Sequence, residues 1–150
     1  MQITIRRGLL EDVPTVAGMW AKIVIGEDKN ATPNEDLYIK QSERLVKIPN
    51  YYLYLAEVNG EIVGFNDGIV SVDPSNSQKY VAGRHFYVTP EHRKTGVAQA
   101  LHKNSQDVAR ELGATVIRRY IRPDKVQFLL SKGHVIKEYV VDEYIQEVTT

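Results

Sequence analysis

The chain has 150 residues and carries 19 basic and 19 acidic side chains, so its formal net charge at pH 7 is zero. Apolar residues at 43% and charged residues at 25% are ordinary globular values, and the length predicts one domain over residues 1–150. The balanced charge argues against a dedicated nucleic-acid binder, which needs a basic excess to neutralise phosphates. Because cysteine is absent, disulfides, thiolate nucleophiles and cysteine metal sites are excluded.

Several other classes lack their sequence signals. No apolar run is long enough to span a bilayer, and residues 1–10 lack the apolar core of a signal peptide, so we expect a soluble, cytoplasmic protein without a membrane partner. The histidines at 85, 92, 102 and 134 show no HxxxH or HExxH spacing, and no metal site is predicted. A phosphate-binding GxxxxGK[S/T] motif and a GxSxG nucleophile motif are also missing.

The first half of the chain predicts a strand, two helices and a hairpin. Ile3 and Ile5 alternate with polar residues as in a half-buried strand, and apolar residues recur at helical spacing over residues 10–23. After a polar break at residues 26–33, Asn34 is a plausible N-cap for a second helix that ends before Pro49. Residues 51–58 and 62–72 predict two strands, since the intervening Asn-Gly is the strongest short hairpin signal.

The second half continues with residues 80–88 as the fourth strand, after a turn at residues 73–78. An apolar stripe from Val97 to Leu112 predicts the third helix, which Gly113 ends. Residues 115–121 predict strand five, and residues 124–132 predict a short helix. Residues 135–141 and 144–148 predict two final strands, which completes the order βααβββαβαββ. Composition and periodicity alone indicate an α+β protein with a mostly antiparallel sheet.

The turn between the fourth strand and the third helix has the character of an anion site. Residues 93–98, Arg-Lys-Thr-Gly-Val-Ala, place two cations and several backbone N–H groups at a helix N-terminus. These N–H groups have no partner within the helix, and the helix dipole is positive there. The sequence predicts a phosphate-bearing ligand; the alternative is a basic helix start with a structural glycine.

Arg93-x-x-Gly96-x-Ala98, directly after the FYVTP segment that ends at Pro90, resembles the acyl-CoA signature of the GCN5-related N-acetyltransferases (GNAT). The segment AEVNGEIVGF resembles the second and third strands of that family, and the predicted element order is the family's order over the whole chain. The resemblance implies the GNAT fold, a mixed and mostly antiparallel sheet flanked by helices. It also implies acetyl-CoA as the acyl donor.

In that family the fourth and fifth strands splay apart at a bulge, and the pantetheine arm of CoA fills the gap. By resemblance, backbone groups of Phe86 and Val88 would bond the pantetheine amides, and the Val88 N–H would face the thioester oxygen. Plain core packing is the other interpretation of these two side chains. The full set of residues implied in donor binding is Phe86, Tyr87, Val88, Arg93, Lys94, Thr95, Gly96, Val97 and Ala98.

The residues that handle protons depart from the family pattern. Many members carry an asparagine after strand five and a tyrosine in the next helix; here Arg122 and Leu129 stand at those positions. His134 replaces the closing phenylalanine. Since leucine cannot protonate a leaving thiolate, the usual general acid is missing or supplied from elsewhere.

Four residues are candidates for the catalytic and substrate roles. We assign His85 as the base, because imidazole changes charge near neutral pH, although strand alternation puts it on the opposite face unless a bulge re-aims it. Tyr120 is a second proton carrier. Asp67 and Arg84 are assigned to substrate binding. The alternatives are a half-buried strand histidine, a sheet tyrosine with an exposed tip, and a bulge at Asp67 favoured by Gly68.

The resulting hypothesis is an acetyl-CoA-dependent N-acetyltransferase that moves an acetyl group to a primary amine, on a small molecule or a protein, by direct attack on the thioester. One alternative is a catalytically silent member that binds acyl-CoA or a protein partner. Another is a nucleic-acid-associated protein that uses Arg118, Arg119 and Arg122. Acidic residues 27, 28, 35 and 36 could attract a cationic amine. Members of the family are often dimers, so a homodimer is possible here.

Overall fold

The computed structural model describes residues 1–136 and 142–145. By its internal contacts the chain divides into two compact units, Met1–Arg119 and Tyr120–Thr150, and each is described by itself. That the 150 residues form one domain stays a prediction.

The first unit is built on a five-stranded sheet whose spatial order repeats the chain order. The first three pairings are antiparallel, and the last one is parallel. A parallel pair needs a crossover connection, which here is a helix between the two strands. The mixed, mostly antiparallel sheet predicted from the sequence is therefore confirmed. Its strands are β1 (Ile3–Arg7), β2 (Tyr51–Val58), β3 (Glu61–Asp73), β4 (Gln78–Val88) and β5 (Val116–Arg119).

Helices cover both faces of this sheet. A 3-10 turn at Leu10–Asp12 leads into α1 (Val13–Glu27), and α2 (Glu35–Leu45) follows. These two helices cover one face, where Val16 and Tyr38 belong to the same buried cluster as Leu55 and Phe65 of the sheet. The crossover helix α3 (Val97–Glu111) covers the other face and buries Leu101 against Val63 and Val88, with Val108 and Ala109 against Val81.

Local sequence signals predicted several boundaries correctly. The Asn34 side chain accepts a hydrogen bond from the Leu37 N–H at 3.0 Å and begins α2 as an N-cap. Asn59 and Gly60 have φ angles of 53° and 78°, the left-handed pair that a tight hairpin of this type requires. Gly113 ends α3 with a φ of 80°.

The C-terminal elements agree less closely with the sequence prediction. β5 contains four residues rather than seven, and a 3-10 turn at Pro123–Lys125 precedes α4 (Val126–Ser131). Residues 135, 136, 144 and 145 are described and lie outside strands, whereas the rest of both predicted final strands falls outside the described residues. Within the part that is described, no helix is long and apolar enough to cross a membrane.

Candidate active site

The main opening in the sheet lies between β4 and β5. The two strands pair only from Tyr80 to Gly83 on β4, opposite residues 116–119 of β5. β4 continues to Val88, and no strand within the described residues pairs with this edge of residues 84–88. Gly83 and Arg119 form the last pair and β5 ends there, so residues 84–88 of β4 have an unpaired edge among the described residues. We call this edge the gap and its Gly83–Arg119 end the closed end; the splay implied by the resemblance stays a prediction.

A bulge lies on β4 beside this opening. Asp67 of β3 opposes His85, but the next β3 residue, Gly68, opposes Gly83, so Arg84 is an extra residue without a partner. A bulge rotates the strand locally, and consecutive side chains can then share one face. Arg84 and His85 both contact Asp67 as a result, on the face that α1 and α2 cover. The bulge that was open as an interpretation of this region is present on β4, and it re-aims Arg84, whereas His85 keeps the face that strand alternation gives it, opposite Phe86.

The Asp67 carboxylate is fully buried, and both of its oxygens have hydrogen-bond partners on β2 and β4. Oδ1 accepts a hydrogen bond from the His85 N–H at 2.9 Å and lies 3.1 Å from His85 Nδ1. Oδ2 accepts from the Tyr51 hydroxyl at 2.8 Å and from Arg84 Nη1 at 3.2 Å. Because the exposed fraction of this side chain is 0%, it organises its neighbours and has no surface left for a substrate.

His85 is partly exposed beside this buried carboxylate, with 21% of its side chain exposed. Tyr38 meets the imidazole edge-on at 6.0 Å between ring centroids, and Phe65 lies at 6.3 Å. Trp20 stacks on Tyr38 at 4.4 Å. With Nδ1 assigned as the donor to Asp67, a neutral imidazole presents Nε2 as a proton acceptor. The ring is therefore held in one orientation by a carboxylate and by aromatic contacts.

Burial controls the charge of the nearby hydroxyls. It raises the pKa of Tyr51 and of Tyr38 well above the usual tyrosine range, and the negative charge of Asp67 raises both further. Both hydroxyls are consequently neutral donors at physiological pH. Tyr51, Tyr38 and Trp20 were not predicted as site residues, because each lies within the ordinary apolar pattern of its strand or helix.

Backbone groups of β4 line the gap. The N–H groups of His85 and Thr89 bond acceptors on β3, namely Asp67 Oδ1 at 2.9 Å and Val63 O at 2.8 Å. Since successive backbone groups of a strand point to alternate edges, those of Phe86 and Val88 face the gap. The Val88 carbonyl accepts a hydrogen bond from Arg93 Nε at 3.0 Å.

The turn after β4 presents a continuous row of backbone donors. Among the described residues, none accepts a hydrogen bond from the N–H groups of residues 94–99. Lys94 and Gly96 have left-handed φ angles of 62° and 95°, which turn the backbone amides to one side. The Thr95 hydroxyl bonds the His92 carbonyl and fixes the turn. Six free donors at the start of a 15-residue helix fit a phosphate group.

The side chains predicted to bind the donor differ in how far they are buried. Tyr87, Val88 and Val97 are buried in the core, so these side chains pack while the backbone of β4 borders the gap. Phe86 is 36% exposed, and Ala98 is exposed. The Arg93 guanidinium turns back over the Tyr87 ring at 5.8 Å. Lys94 and Thr95 are exposed on the turn.

A family model described as Acetyltransferase (GNAT) family matches residues 20–126, which include the gap, the bulge and the turn. The chain belongs to the GNAT acetyltransferase family. Among curated proteins, none has a significantly similar sequence.

Solved structures show the same GNAT fold. A transcriptional regulator from Bacillus halodurans C-125 has a TM-score of 0.79 at 20% identity, with 96% of this chain and 100% of that chain covered. An aminoglycoside acetyltransferase from an uncultured soil metagenomic sample gives 0.72 at 20%, with 98% and 100% covered. The ribosomal-protein-alanine N-acetyltransferase from Brucella melitensis biovar Abortus 2308 gives 0.70 at 21%, with 99% and 100% covered.

The GNAT positions that depart from the family pattern lie in the second unit. Tyr120 is its first residue and is 69% exposed, and its role as a proton carrier stays a prediction. Arg122 Nε lies 3.8 Å from Asp124, and His134 Nδ1 lies 3.1 Å from the Leu129 carbonyl. Among the described residues, no cluster of His, Asp and Glu could hold a metal ion.

Two of the basic residues considered for nucleic-acid binding, Arg118 and Arg119, lie on opposite faces of the GNAT sheet. Arg118 opposes Ala82 and lies 3.4 Å from Asp73, with its guanidinium 4.3 Å from the Tyr80 ring. Arg119 follows it on the strand and therefore points to the other face, towards α3. The two side chains cannot contact the same stretch of phosphates.

Proposed function

We propose that the protein is an acetyl-CoA-dependent N-acetyltransferase that moves an acetyl group to a primary amine by direct attack on the thioester. The observation that carries the proposal is the continuity of two features. The gap beside residues 84–88 of β4 leads directly to a turn with six unbonded N–H groups. In CoA, a pantetheine arm that carries amides leads to a pyrophosphate. The amides match the gap, and the pyrophosphate matches the turn.

The donor would be held mainly by backbone groups. Phe86 and Val88 would bond the pantetheine amides along the gap, and the N–H groups of residues 94–99 would bond the pyrophosphate. Lys94 supplies positive charge beside them. The side chains of Tyr87 and Val97 contribute by holding β4 and α3 in place, because both are buried.

His85 is the base in this proposal, and Asp67 is a positioning residue. As the amine nitrogen bonds the thioester carbonyl carbon, His85 Nε2 takes a proton from that nitrogen, and the carbon–sulfur bond then breaks. Asp67 holds Nδ1 and keeps Nε2 free of hydrogen until that moment. Because the proposed base adjoins Phe86, this proposal puts the reacting carbonyl beside Phe86 and leaves Val88 to bond the pantetheine. That position is two residues nearer the closed end of the gap than the Val88 N–H that the resemblance implies.

The leaving thiolate needs a proton from another group. Leu129 cannot supply it, and we propose Tyr120 or a solvent molecule for this role. The reaction tolerates a weak general acid, since positioning alone contributes substantially to the rate of such a transfer.

The acceptor would enter on the face of the sheet where Asp67 and His85 lie. An amine on a small molecule or on a protein would meet Trp20 and Tyr38 on one side and Arg84, 29% exposed, on the other. The acidic residues Glu27, Asp28, Glu35 and Asp36 are all exposed and could attract a cationic acceptor. A cytoplasmic location and a homodimeric state are both compatible with this proposal.

A second candidate is a silent GNAT member that binds acyl-CoA without transferring its acyl group. Arg122 and Leu129, at the positions of the usual asparagine and tyrosine, favour it. Both candidates predict CoA binding, but only the enzyme releases thiol in the presence of an amine.

Calorimetric titration with acetyl-CoA, desulfo-CoA and ATP tests the donor site. Saturable binding of both CoA compounds but not ATP is expected, and Gly96→Glu should abolish it by repelling the pyrophosphate. Gly26→Glu is the matched control, because nothing lies within 4 Å of a side chain added there. Equal binding by Gly96→Glu and wild type would contradict the site. A thiol-release screen of amines then separates the enzyme from the silent member.

A further inference from the structure

Arg119 lies at the closed end of the gap, on the face covered by α3. Its Nη1 lies 3.3 Å from the position that a Cβ at residue 83 would occupy, so the absent side chain of Gly83 makes room for the guanidinium. Nη2 lies 3.5 Å from Nδ1 of His102 on α3. The guanidinium is thus held between the last paired residue of β4 and the helix above it.

Among the described residues, no acid lies beside this partly buried guanidinium. Arg6, Arg84 and Arg118 each lie within 4.0 Å of a carboxylate, whereas no Asp or Glu among the described residues lies that close to Arg119. Burial lowers the pKa of Arg119, and among the described residues the Tyr52 side chain opposes that effect. Removing a cation from water without an anionic partner is costly, so the position favours an anion.

The bulge brings this cation close to the reacting end of the donor. Phe86 opposes Asn66, and Gly83 opposes Gly68. The two β4 residues are three positions apart in sequence, whereas their partners on β3 are only two positions apart, so the bulge shortens the distance along β4. Two steps correspond to about 7 Å along the strand. An acyl chain that continues from a carbonyl level with Phe86 therefore runs towards Arg119.

We propose that Arg119 recognises a carboxylate at the far end of the acyl chain, so that the protein uses dicarboxylic acyl-CoA donors such as succinyl-CoA in addition to acetyl-CoA. The inference rests on the proposed function, because only a donor in the gap brings its acyl end here. An acceptor carboxylate is a poorer match, since Asp67 and His85 mark the acceptor's entrance on the opposite face.

Succinyl-CoA and butyryl-CoA form the test pair, because their acyl chains have the same length and differ in the terminal carboxylate. In calorimetric titrations without acceptor, wild type should bind succinyl-CoA at least about tenfold tighter than butyryl-CoA. Arg119→Gln should bind both alike, with acetyl-CoA affinity retained. Arg118→Gln, on the other face of the same strand, is the control and should keep the preference.

Gly83→Ala provides a second test in case Arg119→Gln does not fold. The added Cβ would lie 3.3 Å from Arg119 Nη1, so the guanidinium must shift by a few tenths of an ångström, and the preference for succinyl-CoA should weaken while acetyl-CoA affinity is retained. Equal affinities for the two donors in wild type, or a preference that survives Arg119→Gln, would overturn this inference and leave the proposed function intact. Failure of the folded wild type to bind any CoA compound would overturn both.

Discussion

His85 Nδ1 lies 3.1 Å from Oδ1 of Asp67, and the carboxylate that holds it is completely buried. The same oxygen accepts the His85 backbone N–H, so Asp67 positions both the ring and the strand that carries it. Asp67 stands directly opposite His85 in the register of β3 and β4, next to the bulged Arg84. We propose His85 as the base, so its orientation should depend on Asp67 even when the histidine itself is left in place.

Asp67→Asn tests this dependence. Loss of the charge should lower kcat about 100-fold, because the tautomer with Nε2 free is no longer favoured. Removing a buried acceptor of four donors should also lower the free energy of unfolding by about 2–4 kcal/mol. Nitrogen NMR of the imidazole reports the tautomer directly, without reference to activity.

Tyr51→Phe is the comparison, because it removes one donor to Asp67 and keeps the His85 contact. The free energy of unfolding should fall by about 1 kcal/mol with the imidazole tautomer unchanged. If Asp67→Asn also leaves the tautomer and kcat unchanged, Asp67 has a structural role alone.

Lys94→Gly should change stability and donor binding in opposite directions. Lys94 has a φ of 62°, which costs an L-residue about 1–2 kcal/mol, and glycine adopts this conformation freely. We expect a gain in unfolding free energy of about 0.5–1 kcal/mol together with weaker binding of acetyl-CoA. Thermal unfolding and calorimetry measure the two effects, and a variant that binds acetyl-CoA as tightly as wild type would remove Lys94 from the site.

Gly64→Ala should strongly destabilise the sheet. An added Cβ would lie 2.7 Å from the Tyr87 carbonyl oxygen, a backbone atom that cannot move without disturbing β4. We expect a loss of about 2–4 kcal/mol in urea unfolding. Gly26→Ala is the control and should stabilise the end of α1 by about 0.5–1 kcal/mol, because its surroundings are open. Equal stability of the two variants would contradict the tight packing of β3 against β4.

The Arg6–Asp12 ion pair predicts an acid-dependent loss of stability. Arg6 donates to both carboxylate oxygens at 2.8 and 2.9 Å, and these bonds hold the pKa of Asp12 below its usual range. A lowered carboxyl pKa stabilises the folded state above the unfolded value of about 4, and this contribution is lost as pH falls further. Unfolding measured between pH 5 and about 2 should therefore depend more steeply on pH in wild type than in Asp12→Asn. If the stability of wild type and of Asp12→Asn depends equally on pH, the Arg6–Asp12 pair is excluded as the cause of the acid-dependent loss of stability.

The sequence predicted those features that depend on neighbouring residues. Asn34 caps a helix, and Asn59 with Gly60 closes a hairpin, because each acts on groups only a few residues away. The family signature at residues 93–98 likewise describes a single turn. These elements were predicted with nearly correct boundaries.

The features that the sequence could not predict depend on contacts between distant residues. Nothing local to Arg84 indicates that it is unpaired, since its neighbours favour a continuous strand. Asp67 was therefore assigned to a substrate rather than to Tyr51, which is 16 residues away. The lack of an acid near Arg119 within the described part of the chain is likewise a property of the folded state, because it depends on which carboxylates other elements place nearby.

The strand order of the sheet, which repeats the chain order, also bears on how the molecule folds. Each strand adds to one made before it, so β1 to β4 can assemble as soon as Val88 has been synthesised. β5 must wait until α3 has crossed the sheet, and it then gains only four residue pairs. We therefore expect the β4–β5 pairing to form last in the first unit, and amide hydrogens beside it should exchange with solvent sooner than those of β2 and β3.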